Sequence, residues 1–588
     1  MRILGLNAYH GDSSACLVVD GKVINALEEE RIRRVKHWAG FPSEAIKWCL
    51  KDANLAISDI DYIAISRNPS AHLSEKILRA LVKTPSFDFL KSRVTNAIKI
   101  KDVKVELANA FKVDISDIKA KIENVEHHKA HIGSSFLVSG FNNAACVTVD
   151  GFGDFVSTMQ AIGKGNKIEI LNFVGFPHSL GIYYTAITQF LGFWNYGDEY
   201  KVMGLSSYGD LTYVNEIKEI IKLKDNGLFE LNTLFFLHDK EGVEMVWDDG
   251  LPQIGKIFSD KLIQLLGEPR KNNSEITQRE KDIAASMQAV YEDAFFHILN
   301  NMYEKTKLES LTLAGGCIQN SLANGKIKDK TKFKNVYIPP AAHDSGTAIG
   351  AAMVTWYEKS NSKREFIMES AYLGASFSNT EIRLAINKYQ LELDRLDATV
   401  VLLEGEDALY KKVAEAISNG NIVGWFQGRS ELGPRALGNR SIVCDPRKKE
   451  MQDILNQRIK RREWFRPFAP SILEEKTTEW FECSDSVLFM EKVYKIKESK
   501  RSLIPAVCHV DGTGRLQTVS YKTNPRYYNL IKEYEKITGI PVVLNTSFNE
   551  NEPIVNTPDE ALECFIRTKM DNLILGDFFI ARNSNLTN

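Results

Sequence analysis

The chain has 588 residues, of which 44% are hydrophobic and 26% charged, and its formal net charge at pH 7 is −2. At roughly 150 residues per domain, this length predicts two to four domains that can bury large cores. The near-neutral charge provides no general attraction to nucleic acid or to anionic membranes. The sequence has no signal-peptide pattern after Met1 and no run of about 18 apolar residues that would predict a membrane span. Its eight cysteines form no C-x-x-C pair, which favours reduced thiols and a cytoplasmic location.

Two strand-rich units resemble each other. Residues 3–24 predict a strand, a small polar turn and a hairpin that is closed by Asp20-Gly21. Residues 145–171 repeat this order, with the polar turn at residues 150–154. The repeat predicts a duplicated α/β core in which both polar turns face one ligand.

Helices and a boundary follow from hydrophobic periodicity. The pattern predicts helices over residues 43–52, 180–191, 284–301 and 349–359. A polar stretch over residues 358–364 then lacks apolar anchors, which indicates a domain boundary. We therefore predict a first domain at 1–358, a linker at 359–372 and a second domain at 373–588.

A histidine pair is the first candidate for chemistry. His127 and His131 lie four residues apart, so on a helix they share one face and can bind one metal ion. Asp150 ends a predicted strand and Asp344 lies in a turn before a helix. Two imidazoles and two carboxylates suit iron, manganese, zinc or cobalt. The H-x-x-x-H spacing by itself is also common among core and surface histidines, and the sequence does not reveal whether the aspartates converge on it.

A glycine-rich turn is the second candidate. Gly315 and Gly316 follow a predicted strand, and Asn320 comes shortly after them. Glycines allow backbone amides to approach a phosphate or a purine closely. The turn is not a Walker A loop, because no Gly-Lys-Ser/Thr follows it. A packing role is the alternative interpretation.

An arginine-rich stretch is the third candidate. Eight arginines occur between Arg429 and Arg466, interleaved with prolines that favour defined turns. Arginine forks and a lysine suit polyanionic phosphates. A solvated basic face or an RNA contact is the alternative. Acidic residues such as Glu431 and Asp445 dilute the positive charge, so we favour a small phosphorylated ligand over nucleic acid.

Together these motifs resemble those of the NodU/TobZ-type O-carbamoyltransferases. The motifs recur in the family's order along nearly the whole chain, at residues 7–12, 28–31, 36–37, 127–131, 197–205, 433–441, 466–470 and 545–549. The resemblance implies an α/β protein whose first domain is a duplicated ASKHA (actin/Hsp70-like, RNase H-like) domain and whose second domain is a YrdC-like α/β domain. Residues from about 67 to 123 match the family only loosely, and we expect them to form much of the acceptor site.

The resemblance implies an activation site in the second domain. There, carbamoyl phosphate and the co-substrate ATP would yield carbamoyl-adenylate. The positions that match the family's anion-binding residues are Arg435, Lys460, Arg466, Arg515, Asn545 and Ser547.

The resemblance also implies a transfer site in the first domain. One divalent transition metal, with Fe(II) as the preferred candidate, would be held by His127, His131, Asp150 and Asp344. The acceptor hydroxyl would attack the carbamoyl carbon, with His10 as general base and Lys36 at the carbamoyl oxygen. Either side chain could instead only bind anions. The carbamoyl-adenylate would be bound by Gly151, Glu199, Lys201, Gly315, Gly316 and Asn320.

The implied partners are carbamoyl phosphate, ATP and a small hydroxyl-bearing acceptor such as a sugar or another natural product, and a homodimer is left open. The alternative within enzymes is carbamoyl or threonylcarbamoyl transfer to protein or tRNA. A HypF-type maturase should have zinc-binding C-x-x-C pairs, which this sequence lacks. From another class, a nucleotide switch joined to an RNA-binding domain would not need Lys460, Arg466 and the motif at residues 545–547.

Overall fold

The computed structural model describes residues 1–82, 102–241, 245–248 and 250–582. The chain divides into two compact units, Met1–Met368 and Glu369–Asn588. This division falls within residues 359–372, and the domain bounds given above stay predictions. Residues 83–101, part of the stretch that we expect to form the acceptor site, lie outside the described residues.

The first sheet of the first unit has the strand order β3-β2-β1-β4-β5. Its strands are β1 (Arg2–Asn7), β2 (Ser14–Val19), β3 (Lys22–Glu28), β4 (Tyr62–Ile65) and β5 (Lys121–Asn124). The strands β1, β2 and β3 pair antiparallel in succession, whereas β4 runs parallel to β1 and β5 runs parallel to β4. Asp20 and Gly21 join β2 to β3 with positive φ angles of 48° and 78°, as expected of a tight hairpin turn.

The second sheet repeats this topology with the order β14-β13-β6-β7-β8. Its strands are β6 (Asn143–Gly153), β7 (Val156–Lys164), β8 (Lys167–Gly175), β13 (Ser310–Ala314) and β14 (Asn335–Tyr337). Again three strands pair antiparallel in succession and two parallel strands continue from the first of them. The predicted duplication is therefore confirmed. Two hairpins lie between β8 and β13 in the chain, β9 (Ile221–Leu223) with β10 (Phe229–Leu231), and β11 (Met245–Asp248) with β12 (Leu251–Ile254).

The four helices predicted from periodicity are present, at Ser43–Asp52, Leu180–Phe190, Gln278–Thr306 and Thr347–Ser360. The other α-helices among the described residues of this unit are Glu30–Arg33, Leu73–Val82, Val103–Phe111, His127–Phe136, Glu199–Leu205, Val214–Lys218, Asp260–Leu266, Ser321–Gly325 and Ile327–Lys330. In the described part of the chain, no helix is long and apolar enough to cross a membrane.

Helix His127–Phe136 and helix Thr347–Ser360 pack closely because both carry glycine at their contact. A Cβ atom on Gly350 would lie 1.7 Å from the carbonyl oxygen of Ala130, and one on Gly133 would lie 2.7 Å from the carbonyl oxygen of Gly350. Any larger residue would force the helices apart. This contact fixes the spacing between the histidine pair and the turn that precedes the second helix.

The second unit is also mixed α/β. Its described sheet has the order β15-β23-β22-β16-β17-β21-β18-β20-β19. The strands are β15 (Ala398–Leu402), β16 (Val423–Phe426), β17 (Arg440–Cys444), β18 (Ala469–Leu473), β19 (Lys492–Lys495), β20 (Thr513–Val519), β21 (Val542–Ser547), β22 (Asn572–Leu575) and β23 (Phe578–Arg582). The α-helices described in this unit are Asn379–Lys388, Gln390–Arg395, Glu406–Ser418, Met451–Ile454, Thr477–Trp480, Glu498–Arg501, Pro525–Thr538 and Pro558–Arg567. The α/β class predicted for both units is confirmed.

Candidate functional site

The histidine pair lies in the first turns of helix His127–Phe136. The side chain of Glu126 caps this helix by accepting a hydrogen bond from the backbone N–H of Lys129, which fixes the start of the helix. His127 and His131 are fully buried. Their Nε2 atoms face each other at 3.1 Å, as the four-residue spacing predicts.

Asp150 is directed at the histidine pair by a bulge in β6. The pairing of β6 with β7 shifts register between Val149 and Gly153, and such bulges re-aim side chains. One oxygen of Asp150, Oδ1, accepts a hydrogen bond from the backbone N–H of Gly316 at 2.8 Å. The other, Oδ2, lies 3.3 Å from Nε2 of His127 and 3.4 Å from Nε2 of His131.

Asp344 approaches the same point from the turn before helix Thr347–Ser360. Its Oδ1 lies 3.6 Å from Nε2 of His127 and 3.4 Å from Nε2 of His131. Its Oδ2 lies 3.9 Å from Nδ1 of His10. The ring of His10 stacks on that of His127 with a centroid distance of 4.9 Å. The structure therefore brings the four predicted ligands and His10 together.

The geometry of these four groups fits a metal ion. Their ligand atoms all lie within 4.8 Å of one another. Metal–ligand bonds of about 2.0–2.2 Å in a tetrahedron place neighbouring ligand atoms roughly 3.3–3.6 Å apart, close to the separations observed. Two imidazole nitrogens and two carboxylate oxygens form a donor set for a divalent transition metal.

The buried histidines and aspartates of this cluster favour opposite charges. Burial favours the neutral forms, but hydrogen bonds with the two aspartates hold the pKa of His127 well above its usual value. Hydrogen bonds from the two histidines likewise hold the pKa of Asp150 well below the usual range, against the effect of burial. His10 differs, because burial and the positive charge of His127 lower its pKa to about 3. His10 is therefore unprotonated at neutral pH.

Two groups that the sequence analysis did not single out support His127. The carbonyl oxygen of Ser66 lies 3.3 Å from Nδ1 of His127, so the Nδ1 proton can be held there and Nε2 left as the ligand atom. Oδ2 of Asp154 accepts hydrogen bonds from the backbone N–H groups of His127 and Asn68, at 3.1 and 2.6 Å. Asp154 belongs to the polar turn of the second repeat, which is the only sequence signal that pointed to it.

A second cluster borders the loop that contains Lys36. Lys36 is exposed and follows helix Glu30–Arg33. Nδ1 of His37 lies 2.8 Å from Oδ1 of Asp12, and the backbone N–H of His37 donates to Glu30 at 2.8 Å. Burial would lower the pKa of His37, but Asp12 and then Glu30 raise it to about 9. These two contacts hold His37, the residue that follows Lys36, in place.

The glycines predicted to bind the adenylate lie beside Asp150. A Cβ atom on Gly151 would meet no atom within 4 Å, whereas one on Gly315 would lie 2.2 Å from the carbonyl oxygen of Val149. Gly315 also has a φ of 106°, which favours glycine. Gly151, Gly315 and Gly316 thus bring the backbone close to the four candidate metal ligands.

The predicted polar partners of the adenylate are bonded to protein neighbours. Asn320 exchanges two hydrogen bonds with the side-chain amide of Gln288, at 2.9 and 3.1 Å. Glu199 accepts a hydrogen bond from Thr185 at 2.5 Å. Nζ of Lys201 lies 2.9 Å from Asp198. Their roles toward a ligand stay predictions.

In the second unit, the predicted arginines form a positively charged cluster. Arg515 lies on β20, and burial followed by the charges of Arg435, Arg462 and Arg466 holds its pKa well below the usual value. Arg462 was not among the predicted residues. It donates to Oδ1 of Asn456 at 2.7 Å and lies over the ring of Phe468. Mutually repelling guanidinium groups in one place form a site suited to a polyanion.

Glu431 organises the loop that carries Arg435. This carboxylate is buried, and its Oε1 accepts hydrogen bonds from the backbone N–H groups of Leu437, Asn439 and Arg440 at 2.8, 2.8 and 3.2 Å. Its spacing ahead of the glycine-proline turn is the only sequence signal of this role. The sequence interpretation, in which Glu431 merely dilutes the positive charge, missed it.

Lys460, Asn545 and Ser547 lie close to the end of β21. Nζ of Lys460 donates to the carbonyl oxygen of Ser547 and to both oxygens of Asn549. Asn545 donates to the carbonyl oxygen of Ala436, to Ser471 and to Gln517. Lys460 and Asn545 are almost completely buried. Both residues therefore hold neighbouring protein segments in place, and their contact with a bound anion stays a prediction.

The chain matches two protein-family models. The model described as "Carbamoyltransferase N-terminus" matches residues 2–353, and the one described as "Carbamoyltransferase C-terminus" matches residues 414–582. An uncharacterized protein of Synechocystis sp. is 40% identical, over 99% of this chain and 97% of its own length. Nodulation protein NolNO of Sinorhizobium fredii is 37% identical, over 98% of this chain and 80% of its own length.

Solved structures show only a distant likeness. Component A of the Acidaminococcus fermentans (R)-2-hydroxyglutaryl-CoA dehydratase is 11% identical, with a TM-score of 0.33, over 61% of this chain and 99% of that one. HypF of T. kodakarensis is 14% identical, with a TM-score of 0.31, over 62% of this chain and 48% of that one.

Proposed function

Since the chain belongs to the carbamoyltransferase family and is a transferase enzyme, we propose that it is an ATP-dependent O-carbamoyltransferase. The second unit, as a YrdC-like domain, makes carbamoyl-adenylate from carbamoyl phosphate and ATP. The first unit, as a duplicated ASKHA domain, transfers the carbamoyl group to a hydroxyl of a small molecule in biosynthesis. The protein works in the cytoplasm.

Activation uses the arginine cluster. Atom balance requires water to release the phosphate of carbamoyl phosphate, after which a carbamate oxygen attacks the α-phosphorus of ATP and pyrophosphate leaves. Arg435, Arg466 and Arg515 bind the phosphate oxygens, because their planar forks match phosphate geometry. Lys460 and Asn545 hold the surrounding loops, and Ser547 donates a shorter hydrogen bond.

Transfer uses the groups around the histidine pair. The metal held by His127, His131, Asp150 and Asp344, with Fe(II) as the preferred candidate, supplies Lewis-acid stabilisation of developing negative charge when it is bound. The backbone of Gly151, Gly315 and Gly316 admits the adenylate close to Asp150.

His10 and Lys36 act on the reacting groups. His10 accepts the proton of the acceptor hydroxyl as its oxygen attacks the carbamoyl carbon and AMP leaves. Its lone pair is free at neutral pH, because burial and then the charge of His127 lower its pKa. Lys36 steadies the carbamoyl oxygen. Glu199, Lys201 and Asn320 orient the nucleotide.

One observation supports this proposal above the others. Two imidazole nitrogens and two carboxylate oxygens lie within 4.8 Å of one another, with an unprotonated histidine stacked beside them. A structural histidine pair would need neither the convergent aspartates nor this neighbour.

The test is incubation of the purified chain with ATP and carbamoyl phosphate. We expect release of pyrophosphate that depends on carbamoyl phosphate, followed by AMP formation and carbamoylation when hydroxyl compounds are added. The control omits carbamoyl phosphate. The absence of pyrophosphate release under these conditions contradicts the proposed activation.

A further inference from the structure

Arg67 lies two residues after the end of β4, beside the candidate metal ligands. The carbonyl oxygen of the preceding residue, Ser66, lies 3.3 Å from Nδ1 of His127. The backbone N–H of the following residue, Asn68, donates to Asp154 at 2.6 Å, and Asp154 also accepts from the backbone N–H of His127. Ser66 thus contacts His127, the first residue of the helix that carries the histidine pair, whereas Asn68 and His127 share Asp154 as a hydrogen-bond acceptor. The backbone of Arg67 is held beside these ligands.

The charge of Arg67 has no bonded partner among the residues that the structure describes. Its guanidinium makes no hydrogen bond or ion pair with them. Asp154 attracts this charge without forming an ion pair with it, and its Oδ2 accepts hydrogen bonds from two backbone N–H groups. Arg67 is half-buried, and this burial lowers its pKa. A half-buried guanidinium without a bonded protein partner still has N–H donors that an anion can accept from.

The position of Arg67 favours the acceptor over the adenylate. The glycines that admit the adenylate belong to the second sheet, because Gly151 lies on β6 and Gly315 and Gly316 follow β13. Arg67 follows β4 of the first sheet, as His10 follows β1. The charge of Arg67 also acts on His10, whose side chain keeps 20% of its surface exposed. Arg67 therefore lies near the base that faces the acceptor hydroxyl.

We propose that Arg67 binds an anionic group of the acceptor, so that the hydroxyl compound carbamoylated by this chain carries a phosphate or a carboxylate. This inference rests on the proposed function and names the substrate class. A guanidinium offers a planar fork of N–H donors that matches both anions. The same charge repels acceptors that carry only amines.

The first experiment identifies the chemical class of the acceptor from its charge alone. A small-molecule extract of the cells that carry the gene is separated on an anion exchanger into a retained and an unretained fraction. Each fraction is incubated with the full chain, ATP and ¹⁴C-labelled carbamoyl phosphate. We expect labelled product from the retained fraction. Labelled product from the unretained fraction alone overturns the inference. Pyrophosphate release without labelled product from either fraction contradicts the proposed transfer, and with it the inference.

The second experiment uses the acceptor isolated in this way. Arg67→Ala should raise the KM for the acceptor by at least about tenfold, because it removes a charge-assisted hydrogen bond worth roughly 1.5–3 kcal/mol. Arg67→Lys keeps the charge and should recover part of this loss. Pyrophosphate release should be unchanged in both variants, and an unchanged urea unfolding curve shows that the first unit, which contains Arg67, is folded. Arg2→Ala is the matched control, since Arg2 begins β1, is exposed and lies 4.0 Å from Asp59. An unchanged acceptor KM in Arg67→Ala contradicts the inference.

Discussion

The Nε2 atoms of His127 and His131 lie 3.1 Å apart in a fully buried setting. Two unprotonated nitrogens would repel each other at this distance, so a proton or a cation must lie between the lone pairs. Asp150 and Asp344 each lie within 3.6 Å of both nitrogens. Four convergent ligand atoms favour the cation.

We expect one divalent transition metal per chain. His127→Ala should remove it, because the remaining ligands are too few to close the site. Asp154→Asn should lower metal affinity by roughly 10–100-fold, because it weakens the support of His127. Elemental analysis of dialysed protein measures both effects. His297→Gln is the control and should keep the wild-type metal content. Among the described residues, the His297 ring hydrogen-bonds only with the carbonyl oxygen of Lys224. Active wild-type protein without a transition metal contradicts the assignment.

Replacing Lys460 or Arg466 by alanine should have the same effect on activity but different effects on the free energy of unfolding. Both variants should lose pyrophosphate release. Lys460→Ala should also lower the free energy of unfolding by about 1–3 kcal/mol, because it removes the donor to the buried oxygens of Asn549 and to the partly buried carbonyl oxygen of Ser547. Arg466 is partly exposed and lies 3.6 Å from Glu463, so Arg466→Ala should stay within about 0.5 kcal/mol of wild type. Urea unfolding and a pyrophosphate assay measure the two effects. Unchanged pyrophosphate release in either variant contradicts the activation site.

Part of the cluster formed by His127, His131, Asp150 and Asp344 could be predicted from the sequence, because the signal of the histidine pair is local. The H-x-x-x-H spacing places two histidines on one helix face whatever the rest of the chain does. Asp150 and Asp344 follow from the family resemblance, whereas their convergence depends on the bulge in β6 and on the glycine contact between two helices. Neither of these features can be derived from residue spacing.

The supporting residues could not be predicted, because they depend on contacts between distant segments. Arg67 lies beside the histidine pair only because β4 pairs with β1 and the following residue, Asn68, bonds to Asp154, 86 positions away. The motifs of Lys460 and Asn545 predict anion ligands. Contact with an anion stays a prediction for both residues. A motif does not reveal that such a side chain also holds its own protein neighbours, as both do here.

The Asp12–His37 pair predicts a pH-dependent stability. The pKa of His37 in the folded chain is about 9, above the value of about 6.5 that an unfolded histidine has. The contribution of protonated His37 to the free energy of unfolding is therefore fully present below about pH 6.5 and is lost as the pH rises through 9. Relative to His37→Gln, the wild-type free energy of unfolding should fall by roughly 1–3 kcal/mol between pH 6.5 and about pH 10. Urea unfolding across this range measures the difference, and parallel pH curves for the two proteins contradict the pairing.

Glu431 should be essential for the loop that carries Arg435. Glu431→Ala leaves three backbone N–H groups without their acceptor. We expect a loss of about 2–4 kcal/mol in unfolding free energy and a severe loss of pyrophosphate release. Glu415→Gln, at an exposed position of helix Glu406–Ser418, is the matched control and should leave both unchanged. A stable, active Glu431→Ala variant contradicts the role assigned to this carboxylate.

The central claim is that the two units perform separate half-reactions, and rescue with synthetic carbamoyl-adenylate tests it most directly. His10→Asn and Asp344→Ala should still release pyrophosphate from ATP in the presence of carbamoyl phosphate, yet carbamoylate no acceptor. Arg435→Ala should fail at both steps, because its guanidinium belongs to the cluster that binds the phosphates. When carbamoyl-adenylate is supplied, we expect Arg435→Ala to regain acceptor carbamoylation and His10→Asn to remain inactive. Equal rescue of the two variants contradicts the division of chemistry between the units.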